Sequence, residues 1–265
     1  MPHLTSTRTI TPRTELRPGF GIPGLAHPLV APAEWAELTR PDTPLHWVVL
    51  HVTDDGPGSR PDPHCLEAAG RLRNAGVRVL GHLDTTYGAR VFGEVISDAH
   101  RYIEWYQVDG FLLDHCPSER TALPEIRRTV TTLRALRDDA HIVLGHGVHP
   151  YPGYAEIADQ LVTFSGPWSE YRWSQAPEWT ADHSPDRFCH LVHGVPGPHL
   201  EEALRIARWQ GATTIYFTDR TNHMNHTDRT NRPNNANRSA RNDPWQTMPG
   251  YWDDIVSRIG TGVSE

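Results

Sequence analysis

Lysine is missing altogether from the 265 residues, so every basic side chain is arginine. That excludes any mechanism running through a lysine Schiff base. Cysteine is scarce. Cys65, Cys116 and Cys189 stand far apart, which excludes a disulfide framework or a CxxC metal clip and suits a reducing compartment. No apolar run approaches the roughly 18 residues that span a bilayer. The Arg/Thr-rich stretch through Pro18 has no apolar centre of a secretory signal. The expected location is therefore the cytoplasm, with no membrane partner. Positive charge is not in surplus either. A formal net charge of -7 argues against nucleic acid as the partner. No GxGxxG follows the first strand run, and HExxH is absent.

What is present is alternation. Short β-branched or apolar runs, each ending in polar residues, take turns with amphipathic stretches. The runs begin at Gly19, Leu45, Val77, Val108, His141, Gln160, Phe188 and Thr213. Helical segments are expected over 33–39, 64–74, 91–106, 124–137, 154–158, 199–210 and 251–259. Eight such units predict an α/β fold, a single (β/α)8 TIM barrel over 18–265, preceded by an extended or disordered arm at 1–17. The segment 220–243 is dominated by Asn, Arg, Thr and His. Its composition predicts a mobile, polar insertion between the eighth strand and the last helix, over the barrel mouth.

Val108 to Pro117 is the most informative stretch, an apolar run ending in Asp114, His115 and Cys116. Barrel enzymes carry their chemistry at the C-terminal ends of strands. Asp84 and Asp114 close adjacent strands, which lie about 4.8 Å apart, so they form a candidate catalytic pair, with His115 an acid or base near neutral pH. Strand alternation puts His82 and Asp84 on one face but turns His115 away from Asp114. Candidate substrate contacts are the strand-end groups His51, His82, His146, His193 and Asp219, the aromatics Tyr87 and Trp168, and Arg90. No cofactor is required. A divalent metal stays open, with His82, Asp84 and His146 as one possible ligand set.

Three stretches carry a family likeness: Val79 to Arg90 (VLGHLDTTYGAR), Val108 to Asp114 (VDGFLLD) and Cys189 to Pro196 (CHLVHGVP). Together they resemble the spherulin-4 (spherulation-specific) family. The resemblance implies a (β/α)8 barrel related to glycoside hydrolases, whose characterised members cleave galactosamine-containing polysaccharides. It also implies an Asp-Glu pair after strand four and a Glu after strand six. Here those positions hold Asp114, His115 and Ser165, and Gly145-His146-Gly147 stands where the family often has Asn-Pro-Gly. The expectation is a divergent family enzyme, a glycosidase-like hydrolase, acting on a small sugar-like or polar metabolite inside the cell through Asp114. Two alternatives stay open. One is a lyase, isomerase or cyclase of specialised metabolism run by a His/Asp cluster. The other is a carbohydrate-binding barrel without catalysis.

Overall fold

The computed structural model describes residues 17–53, 56–221 and 243–260. The expected arm and most of the expected insertion lie outside them. Eight parallel strands close into a barrel in chain order: β1 Gly19–Ile22, β2 Leu45–Leu50, β3 Val79–Asp84, β4 Gly110–Asp114, β5 His141–Gly145, β6 Gln160–Pro167, β7 Phe188–His193 and β8 Thr214–Phe217. β8 returns to pair with β1. Outside lie α1 Pro32–Glu37, α2 Pro63–Asn74, α3 Phe92–Arg101, α4 Leu123–Leu136, α5 Trp168–Tyr171, α6 Leu200–Trp209 and α7 Trp252–Gly260.

Local chemistry sets the element ends. Asp62 caps α2 by accepting the backbone N–H groups of His64 and Cys65, with Pro63 supplying the first helical residue. At the other end Gly76 adopts φ +78. Its N–H goes to Arg73 and that of Val77 to Leu72, a Schellman stop. Val77 is thereby spent on the helix, and β3 starts at Val79 rather than at Val77 as the apolar run suggested. α3 runs on into a wide π turn over Tyr102–Tyr106. Both tyrosines are buried, and Gly81 leaves room for the Tyr102 ring, which would lie 2.8 Å from a Cβ there. The expected helix at 154–158 is a 3-10 turn over Pro152–Glu156, and α5 is an element the sequence did not announce.

Candidate active site

β3 and β4 run in register, so Asp84 and Asp114 are direct partners at the barrel's C-terminal rim. Thr85 fastens the two strand ends. Its N–H and hydroxyl both reach the carbonyl of Asp114, and the hydroxyl also reaches that of His115. The N–H of Tyr87 donates to the same His115 carbonyl at 2.8 Å. Within this knot His115 takes φ +47, and Thr86 and Tyr87 take φ +46 and +53. Three non-glycine residues in the left-handed region mark stored backbone strain, which concentrates at functional sites.

The left-handed turn corrects the expectation for His115. Alternation would have pointed it away from the mouth, but alternation ends where the extended backbone ends. The ring comes back over the rim, with Nδ1 3.1 Å from Asp84 Oδ1 and the Tyr87 ring 5.2 Å away. Asp84 Oδ1 also accepts the N–H of Thr86 at 2.7 Å. Asp114 accepts the backbone N–H of His115 on Oδ1 at 2.8 Å, and its Oδ2 lies 3.3 Å from His82 Nε2. Burial alone would raise the Asp114 carboxyl. The hydrogen bond and charge of His82, helped by His115, outweigh it and hold the group below the usual carboxylate range. His82 is in turn stacked on His51, ring centroids 4.7 Å apart. Gly145 on β5 completes the fit, because a Cβ there would sit 2.9 Å from Asp114 Oδ1.

These groups open into a cavity of about 570 Å³, within the usual range for small-molecule sites. Of the expected residues, His51, His82, Asp84, Tyr87, Asp114, His115, His146 and Ser165 line it. His146 is buried, and that burial lowers its pKa to about 4, so it is neutral at neutral pH.

The other expected contacts sit elsewhere. Trp168 is buried against Tyr171 and His199. Arg90 is committed to the buried Asp98, and it also donates to the Asp84 carbonyl at 3.2 Å. It braces the strand end rather than facing the cavity. His193 packs on Trp245 at 5.7 Å. Asp219 accepts the N–H of Gly250 at 3.0 Å.

The donor atoms of His82, Asp84 and His146 do not converge. Among the described residues, the three-donor group within 4.8 Å is His27, Asp62 and Cys65. There His27 Nδ1 accepts the N–H of Leu29, which leaves the proton on Nε2, the atom facing Asp62 and Cys65. A metal-bound imidazole has the opposite arrangement, so this group reads as part of the α2 cap. The sequence reading also missed Asp243 and Trp245, which line the cavity. The available signal was the abrupt change from Asn/Arg-rich sequence to Asp243-Pro244-Trp245.

Fold and site together define a (β/α)8 barrel with paired carboxylates and histidines around a cavity at its C-terminal mouth. The chain matches the model of spherulation-specific family 4 over residues 22–259, and it belongs to that family. It is 27% identical over 164 residues to spherulin-4 of Physarum polycephalum, an alignment covering 61% of this chain and 47% of that one. The chain thus spans about half the length of that curated relative. The fold is shared with the crystal structure of Aspergillus clavatus Sph3 in complex with GalNAc, at a TM-score of 0.70 and 23% identity, covering 92% of this chain and 98% of that one. Among the described residues, no helix is long and apolar enough to cross a membrane.

Proposed function

We propose that this protein hydrolyses a glycosidic bond in a small, amino-sugar-like substrate, with Asp114 as the central acid/base or nucleophile and Asp84 as its partner. The observation that carries the reading is the direct pairing of Asp84 with Asp114 across β3 and β4, at the rim where barrels place their chemistry. Glycoside hydrolysis needs two carboxyl groups on opposite sides of one bond. The neutral His146 and the exposed Ser165 offer hydrogen bonds to a polar ligand without adding charge. The GalNAc bound to Sph3 makes N-acetylgalactosaminides the first class to try.

The test measures product release and, by calorimetry, binding for a panel of N-acetylgalactosaminides. Asp114→Asn is expected to lower turnover by about 10²–10⁴-fold, the usual span for a lost acid/base group, while binding changes little. Turnover that survives the substitution overturns the reading, as does binding without any turnover in the unaltered protein.

One observation favours a second reading. His115 faces Asp84 and His82 faces Asp114, giving two histidine–carboxylate couples suited to moving protons within a substrate. A lyase or isomerase of this kind would form products that have gained no water, which mass measurement separates from hydrolysis.

A further inference from the structure

A third carboxyl, Asp243, lines the cavity with Asp84 and Asp114. It stands at the start of a return strap, 243–250, that is stitched to the barrel along its length. The N–H of Trp245 donates to Asp243 Oδ1 at 3.0 Å. The Trp245 ring packs on His193 and on Tyr216. The Gln246 carbonyl takes the N–H of Ala26, the Thr247 carbonyl the hydroxyl of Tyr216, and Asp219 the N–H of Gly250. Asp243 is therefore held at a fixed place on the mouth.

The three carboxyls differ in what surrounds them. Asp84 has a backbone N–H and an imidazole on one oxygen. Asp114 has a backbone N–H on one oxygen and an imidazole near the other. Those around Asp114 favour its ionised form. Asp243 is half-buried. Burial pushes its carboxyl up and the charge of Asp114 pushes it further, against the pull of the Trp245 N–H and of His82. Two carboxyls whose surroundings drive them apart divide into a base and an acid.

We propose that Asp243 is the general acid of this site. The proposal rests on the hydrolytic reading, in which Asp84 partners Asp114 by setting the rim and holding His115, and it supplies the proton donor that His115 and Ser165, standing where the resemblance implies glutamates, do not provide as carboxyls. In the step, the bond from the anomeric carbon to the leaving oxygen breaks, and its electron pair stays on that oxygen. The leaving oxygen takes the proton of Asp243. A water oxygen bonds to the anomeric carbon, and its surplus proton goes to Asp114. Solvent then returns a proton to Asp243 and removes one from Asp114.

The test compares Asp243→Asn with the unaltered protein on two N-acetylgalactosaminides, one with a methyl leaving group and one with 2,4-dinitrophenyl. A phenolate that leaves unaided needs no acid. The expected result is a loss of about 10²-fold or more on the methyl glycoside and under a tenfold loss on the aryl one. Equal losses on both, or none on either, overturn the assignment. Carboxyl carbon NMR gives a readout free of turnover. Asp243 is expected to titrate above the ordinary aspartate range and to move down in Asp114→Asn; titration in the ordinary range, unmoved by that change, overturns the assignment in an enzyme that still hydrolyses. If the unaltered protein cleaves neither glycoside, the hydrolytic reading itself falls and this one with it.

Discussion

The two ends of β4 teach opposite lessons from the same residue type. At the bottom, Asp109 accepts the N–H of Val79 at 2.9 Å and pairs with Arg137 at 3.3 Å. Two strands along, Asp159 does the same for Ile142 and Arg134. Gln160 donates to Thr214 and to the Asp186 carbonyl, and accepts from Trp47. Every one of these groups is consumed in closing the barrel. At the top, Asp114 has comparable donors, yet they surround a cavity of about 570 Å³ instead of filling it. Polar groups that satisfy one another hold a fold together, whereas polar groups arranged around a cavity are free to meet a ligand.

The largest break in this comparison is the pair of substitutions Asp114→Asn and Asp109→Asn. The first is expected to remove about 10²–10⁴-fold of turnover with little change in melting temperature. The second should leave turnover near its starting value, and an equal kinetic effect of both would dissolve the distinction between the two ends.

Acid should affect both ends together. Burial lowers His141 at the bottom to about 4, His146 at the mouth to about 4, and His190 within β7 to about 3. In each case the folded state gives up its proton more readily than the unfolded chain, which titrates near 6.5. Stability is therefore full above about pH 6.5 and falls as pH drops through the window toward 4, by at most about 1.4 kcal/mol per unit for the fully buried His190 and by less for the partly exposed His141. Urea denaturation at pH 7, 5.5 and 4.5 checks it, and a flat profile would contradict it.

Smaller effects sharpen the contrast. Asp109→Ala leaves the Val79 N–H without its acceptor and is expected to cost about 1–3 kcal/mol, read as a lowered melting temperature. His115→Gly releases a left-handed backbone and loses only half-exposed ring contacts. Its stability should stay within about 1 kcal/mol of the starting value while turnover falls. A His115→Gly protein that is much less stable would mean that the rim, too, is built mainly for folding.

The barrel was legible because eight apolar runs and their turn residues repeat at regular spacing. The strand ends that carry His51, His82, Asp84 and Asp114 followed from the same pattern. His115 was misdirected because a period-two argument holds only within extended backbone, and the Thr85 knot that forces the turn joins residues 29 and 30 positions apart. Trp168 and Arg90 were assigned to the cavity on chemistry alone. Their true neighbours, His199 and Asp98, come from a distant loop and from the next helix, which no local spacing reveals. Asp243 was hidden in plain composition, since the polar stretch that precedes it masks the point where the chain rejoins the barrel.

The left-handed backbone at His115 also restricts what this lineage can become. Few side chains tolerate that conformation, and His, Asn and Asp are among those enriched there. A glutamate placed at 115 would take up the same left-handed backbone at some cost, as the isosteric Gln107 does at φ +52. The turn therefore weights what position 115 can hold toward short polar or imidazole groups without barring a longer one. Redesign of this rim has to begin with Thr85 and Tyr87, which hold the turn, before it can change the group the turn presents.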